Sequence, residues 1–168
     1  ATAVAAHKDE LAVLIRRIDG DGKIWVEPLG GCRPHKYGEG PFDVITDRGV
    51  VEGVLCLGST HSSALSSRTD AATRRMPDWD VVYVDCGMNG AGLAAAGVQI
   101  GDRALPGRRR KAPMGLGPEA LCGYGLDDKA GVAILLLLLE RLLAAPPRHD
   151  VLVAFTSSEE SGCSGALY

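Results

Sequence analysis

Seven ionisable side chains fall into three tight groups along the chain: His7, Asp9 and Glu10; Asp127 and Asp128; Glu159 and Glu160. An imidazole among several carboxylates, with few cations beside them, is the chemistry of a divalent metal site. Crowded carboxylates repel one another, and a dication relieves that repulsion while accepting nitrogen and oxygen donors together. Each group also has a plainer reading when taken alone. His-x-Asp is commonly a surface loop. Asp127 and Asp128 could be helix N-caps, since acids favour a helix start. Glu159-Glu160 could be a solvated turn.

The segments beside these groups make the joint reading stronger. Ala1 to Ala6 reads as a short buried strand that ends at His7. Leu126-Asp127-Asp128-Lys129 precedes an apolar run that predicts a helix over about Ala130 to Ala145, stopped by Pro146 and Pro147. Leu135 to Leu139 is apolar all round, which predicts a helix buried on most sides. Val151 to Phe155 is a continuous apolar strand of the kind found in central parallel sheets, and Glu159-Glu160 follows it. In open α/β sheets, ligands bind beyond the carboxyl ends of the strands, where two of the three groups fall.

The middle of the chain reads differently. Leu11 to Ile18 and Lys23 to Glu27 flank Asp19-Gly20-Asp21-Gly22, a hairpin signal. Phe42 to Thr46, Val50 to Leu57 and Val81 to Val84 are short β-rich runs punctuated by Gly and Pro, a spacing that suggests a small barrel or sandwich. Gly87-Met88-Asn89-Gly90-Ala91-Gly92 has the glycines of a phosphate loop but not their fingerprint spacing, so it is read as a plain strand-to-helix turn. Arg108-Arg109-Arg110-Lys111, between two prolines, is read as a solvated loop. The fold expected is α/β with a β-rich insertion.

Composition excludes several classes. The 168 residues carry 18 Lys and Arg against 21 Asp and Glu, a formal charge of −3, and 46% are apolar. That is too apolar for a disordered chain and lacks the positive field of a general nucleic-acid binder. The apolar run from Ala130 to Leu139 is about half of a bilayer span, so no membrane partner is expected. Five scattered cysteines form no disulfide framework, which favours a reducing, cytoplasmic setting.

Taken in order, Ala6-His7-Lys8-Asp9-Glu10, Glu27-Pro28-Leu29-Gly30-Gly31, Leu126-Asp127-Asp128-Lys129-Ala130-Gly131 and Thr156-Ser157-Ser158-Glu159-Glu160-Ser161-Gly162 resemble the tetrahedral-type dinuclear metallo-aminopeptidases. This is the glutamyl aminopeptidase family, often labelled endoglucanase or cellulase. Gly53-Val54, Thr60-His61, Val84-Asp85-Cys86-Gly87 and Gly97 to Asp102 agree more weakly. The resemblance implies a phosphorylase/hydrolase-like α/β frame over 1–30 and 118–168, incomplete in this chain, with a small β-barrel-like dimerisation domain inserted over 31–117. It implies a hydrolase, a protease that releases N-terminal residues from peptides with two divalent ions per complete subunit, zinc or cobalt. His7 would bind the first ion, Asp127 would bridge both, and Glu160 would bind the second. Glu159 would be the general base, and Asp9 would fix the His7 tautomer. Subunits would pair through the insertion and build towards dodecamers. The peptide bond between Asp127 and Asp128 would be cis. Lys8, Lys129 and Ser161 depart from the commonest residues at their places, none of them a ligand position.

The family also uses an Asp and a second His from segments after the double Glu. His35, His61 and His149 do not match that place. With no initiator Met and no closing element after Tyr168, the chain is expected to be the middle of a larger enzyme, or else a reduced relative without activity. Two other functions compete with the aminopeptidase: a non-catalytic self-association module, and a related metal-dependent deacylase or carboxypeptidase.

Overall fold

The computed structural model describes residues 1–58 and 77–167. Thr60 and His61 lie outside the described residues. In chain order the strands are β1 (Thr2–His7), β2 (Ala12–Ile18), β3 (Ile24–Leu29), β4 (Gly40–Thr46), β5 (Gly49–Cys56), β6 (Tyr83–Asp85), β7 (Arg103–Pro106), β8 (Met114–Leu116), β9 (Ala120–Cys122) and β10 (Val151–Thr156). Helices run over Pro34–Tyr37, Gly90–Ala95 and Leu126–Ala144. The chain divides into two compact units: Ala1–Leu11 with Pro113–Tyr168, and Ala12–Ala112. Among the described residues no helix is long and apolar enough to cross a membrane.

In the first unit, β1 and β10 pair in parallel, with Thr2 opposite Val151 and His7 opposite Thr156. The long helix Leu126–Ala144 packs against β1 and, to a smaller extent, β10. Gly125, at φ +74°, begins it. Asp127 and Asp128 are still non-helical, and their peptide bond is cis, as the resemblance implies. Regular helix therefore starts at Lys129, and Asp128 is its effective cap, with Oδ1 accepting the Gly131 N–H at 3.0 Å. The expected burial of this helix on most sides is corrected. Leu135 is its buried residue, whereas Ile134, Leu136, Leu137 and Leu143 are all more than half exposed. Two strands are too narrow to cover more than one stripe of a 19-residue helix. A second small sheet, β8 with β9, is an antiparallel hairpin that the sequence reading did not anticipate.

The second unit is a closed barrel in the order β2-β3-β6-β5-β4-β7, of the kind the β-rich runs suggest. Alternation along each strand sends Val13, Ile15, Ile24, Val26, Phe42, Val44, Leu55, Val84 and Ala104 inward, all fully buried. Tyr37 stands edge-on to Phe42, with ring centroids 5.5 Å apart, and Trp79 closes on Tyr37 at 6.0 Å. The β2–β3 hairpin turns at Gly22, at φ +94°, where a Cβ would run into the Met88 carbonyl. The sequence leaves the boundary near Gly31 open, so that the hairpin could join the frame over 1–30 or the insertion. The hairpin's hydrogen bonds to β6 and β7 make it two staves of the barrel, and the first unit resumes at Pro113. Asn89 caps the Gly90–Ala95 helix by accepting the Gly92 N–H at 2.9 Å, and the Gly90 N–H donates to the Gly20 carbonyl. The amides of this glycine run are thus used structurally, as a plain turn. Arg109 pairs with Glu52 at 3.1 Å in an exposed turn.

Phe42 has no exposure and touches the aromatic cluster that fills one end of the barrel. Phe42→Ala is expected to cost about 3–5 kcal/mol, the transfer loss plus an unfilled cavity. Urea denaturation followed by tryptophan fluorescence measures it. A loss below about 1 kcal/mol would mean that the barrel core collapses around the gap.

Candidate metal centre

The site forms where the two parallel strands end. His7 is the last residue of β1 and lies opposite Thr156, the last of β10, so the chain leaves both strands at one edge. Ser158, at φ +62°, turns the chain after β10. The Gly162 and Cys163 N–H groups close the following turn on the Glu159 carbonyl at 3.0 and 3.1 Å. Asp9 ties the two exits together: its Oδ1 accepts the Glu159 N–H and its Oδ2 the Glu160 N–H, both at 3.3 Å. From the third direction, Asp127 arrives at the start of the long helix.

His7 is at the centre and is only 8% exposed. Its Nε2 lies 3.0 Å from Asp127 Oδ1 and 3.7 Å from Glu159 Oε2. One ligating atom each of His7, Glu159 and Glu160 lies within 4.8 Å of the other two. On the other side of the ring, Nδ1 is buried without a hydrogen-bond partner and faces Asp9 Oδ1 at 3.5 Å. The Asp127 side chain is 89% exposed and that of Glu159 44%, so the imidazole forms a floor and the carboxylates open to solvent. Lys129 Nζ donates to the Lys8 carbonyl at 2.7 Å rather than to these carboxylates. Among the described residues no Lys or Arg side chain is ion-paired with Asp9, Asp127, Asp128, Glu159 or Glu160.

The protonation equilibria show the crowding. Burial pushes the Glu160 carboxyl above its ordinary value, and repulsion from Glu159 and Asp127 adds to it. Burial alone would lower the His7 pKa, but the Asp127 hydrogen bond and the Glu159, Asp127 and Asp9 charges outweigh it and hold the imidazole above its usual range. Burial likewise opposes ionisation of Asp9, yet the two backbone amides it accepts keep its carboxyl below the usual value. An imidazole with one nitrogen among carboxylates and the other facing a carboxylate is the donor set that divalent zinc or cobalt takes. The residues therefore fit such an ion.

The five residues to which the resemblance gives roles fall in one place: His7, Asp9, Asp127, Glu159 and Glu160. Among the other histidines, His149 Nε2 meets Thr2 Oγ1 at 3.4 Å, at the far end of β1 from His7, and His35 lies in the barrel unit. Two contacts were missed. Cys163 Sγ lies 3.5 Å from Glu159 Oε1. Asp128 Oδ2 accepts the His7 backbone N–H at 3.2 Å. The sequence reading counts Asp128 both in the acid pair and as a capping candidate, and the glycine three residues later was the available sign that its carboxylate needs room.

Comparison with known proteins gives the family. The family model described as M42 glutamyl aminopeptidase matches residues 1–168. A glutamyl aminopeptidase of Lactococcus lactis subsp. cremoris is 26% identical over 167 residues, 97% of this chain and 45% of the relative. Among solved structures, the TET1 peptidase of Pyrococcus horikoshii, described as able to assemble into a tetrahedron or a large octahedral shell, superimposes with a TM-score of 0.80 at 28% identity, covering 98% of this chain and 47% of that one. An aminopeptidase of the archaeon Desulfurococcus kamchatkensis gives 0.79 at 28% identity, covering 98% and 42%. The chain thus spans somewhat less than half the length of these relatives. With the family match running from its first residue to its last and its ionisable groups gathered at one strand edge, the chain belongs to the M42 glutamyl aminopeptidase family.

Proposed function

We propose that this chain forms part of a metal-dependent aminopeptidase that hydrolyses N-terminal residues from peptides, with His7 and Asp127 holding one divalent ion and Asp127 and Glu160 a second. The observation that carries the reading is the two-sided setting of His7, with Nε2 at 3.0 Å from Asp127 and Nδ1 turned towards Asp9. Zinc or cobalt, when bound, would supply Lewis acidity and an activated water. The protein residues divide the remaining work. Asp9 holds the imidazole tautomer and, through the Glu159 and Glu160 amides, the turn that carries both glutamates. Glu159, partly open to solvent, accepts the proton that the water gives up as it attacks the peptide carbonyl. The carboxylates' collective negative charge favours a substrate that presents a free ammonium group. A related deacylase would work on the same donors, and a comparison of free-amine with N-acylated peptides separates the two.

Self-association belongs to the same proposal and falls to the barrel unit. Ile45, Val50 and Val54 point outward from β4 and β5, each more than two-fifths exposed, and Ile45 and Val50 are cross-strand partners. An exposed apolar face of this kind suits a contact between copies. The setting proposed is the cytoplasm.

Glu159→Gln is expected to leave metal content unchanged and to lower turnover by about 10²–10⁴-fold, because an amide cannot take up the proton. Glu160→Gln is expected instead to reduce occupancy of the second ion, since a neutral amide is a poorer ligand than a carboxylate. Metal analysis and hydrolysis of leucine- and glutamate-anilides, in the protein carrying this chain, read both. Full activity in Glu159→Gln would remove the base from the mechanism.

The raised His7 pKa gives a pH dependence with a definite sign. In the metal-free protein the folded state holds the imidazolium proton more tightly than the unfolded chain does. The stabilisation is therefore complete below the unfolded value and is lost as pH rises through the folded one. A metal ion on Nε2 must displace that proton. Co²⁺ affinity is therefore expected to fall on acidification below the raised His7 value, by about one log unit per pH unit from this group. Calorimetric titration between pH 5.5 and pH 8 measures it. Affinity independent of pH over that range would take His7 out of the ligand set.

A further inference from the structure

Asp128 bonds to the end of β1 and to the first turn of the long helix, and has no part in the proposed chemistry. The N–H groups of Thr2 and Lys8 donate to the Asp150 and Thr156 carbonyls of the β10 side, the latter at 2.9 Å. Successive N–H groups of a strand point to opposite sides, so the His7 N–H points away from β10. Asp128 Oδ2 accepts it at 3.2 Å, taking the place that a neighbouring strand would fill. Asp128 Oδ1 meanwhile accepts the Gly131 N–H at 3.0 Å and caps the long helix. One carboxylate therefore joins the last residue of β1 to the first turn of the helix that presents Asp127.

The space for it is made by a missing side chain. A Cβ on Gly131 would run into Oδ1, Oδ2 and Cγ of Asp128, all inside contact distance. Gly131 lies in the first turn of a helix, where glycine is otherwise a poor choice. Its lack of a Cβ is what lets the Asp128 carboxylate lie over the helix start and still reach His7.

We infer that Asp128, with Gly131 as its cradle, is a positioning residue that sets His7 against Asp127. The inference rests on the proposed metal-binding role of His7. Asp128 touches neither ion nor substrate in this scheme. It fixes the height of His7 relative to Asp127, which keeps Nε2 and Asp127 Oδ1 within reach of a common ion.

The test uses the protein carrying this chain and two substitutions. Asp128→Asn keeps the shape but must turn an amide NH₂ towards one of the two N–H donors, so one bond is lost. Gly131→Ala leaves every proposed ligand and Asp128 itself in place and only crowds the carboxylate. On helix propensity alone that alanine would be favourable. Two measurements are made on each: backbone amide exchange by NMR on the metal-free protein, and Co²⁺ affinity by titration. The expected result is His7 amide exchange faster by about tenfold or more, with Lys8, which bonds to β10, within twofold of the parent. Co²⁺ affinity should be lower by about 10–100-fold, the usual effect of losing a residue that orients a ligand. The inference is overturned if the His7 amide is unchanged in both variants, or if Lys8 exchanges faster by the same factor, which would mark general loosening of the strand. Should Asp128→Asn fail to fold, Gly131→Ala decides by the same criteria. If the parent protein takes up no Co²⁺, the metal reading fails, while the contrast between His7 and Lys8 still decides what Asp128 holds.

Discussion

The site depends first on the register between β1 and β10. Parallel pairing sets His7 level with Thr156, so that residues 7–9 and 157–160 emerge together from one end of the pair. A side chain alternates faces with each residue along a strand. A one-residue slip would put the imidazole on the opposite face and carry Asp9 away from the amides of Glu159 and Glu160. Backbone pairing alone does not forbid such a slip. The Asp9 carboxylate does, because it accepts two successive amides from the other exit and has a single position in which it can do so.

Around that anchor the electrostatics are deliberately unbalanced. Four carboxylates, of Asp9, Asp127, Glu159 and Glu160, surround one imidazole with no lysine or arginine ion-paired to them among the described residues. The conflict is eased in part by backbone donors, to Asp9 from Glu159 and Glu160 and to Asp128 from His7 and Gly131. It is eased in part by extra proton affinity, with His7 and Glu160 both shifted upward. A buried or half-buried anion without a partner is costly, and a site that leaves this much negative charge unmatched is prepared for a cation.

Much of this was legible in the sequence because the signals are local. An apolar run that ends in His-x-Asp, an acid pair before an apolar helix, and an acid pair after an apolar strand each show in a short window. The cluster they form is the one the strand ends build. What was not legible depends on partners distant in sequence. The β2–β3 hairpin has the same alternation whether it joins the frame or the barrel, and only pairing with β6 and β7 decides. The β8–β9 hairpin has three-residue strands that are exposed throughout, so no burial pattern marks it. The long helix reads as buried all round because its leucines are unbroken, yet burial depends on what lies opposite them. Asp128 was legible as a member of the acid pair and as a cap, and it does cap the helix. Its second bond, to a residue 121 positions away, leaves no trace in a window of a few residues.

The closing of the barrel has a consequence for the order in which the protein can fold. Residues 12–112 separate the two halves of the site, and bringing His7 to Asp127 through an unfolded excursion of that length would be slow and entropically costly. In the barrel, however, β2 and β7 are neighbours, with Val13 opposite Ala104, so the chain leaves the unit beside the point where it entered. A folded barrel therefore acts on the rest of the chain as a short loop would. Shrinking an excursion of about a hundred residues to the equivalent of about six lowers the closure cost by about 2.5 kcal/mol. Contacts that are very long-range in sequence become short-range along the folded path. A barrel folded before the rest of the chain would leave the metal site to assemble across a gap already closed.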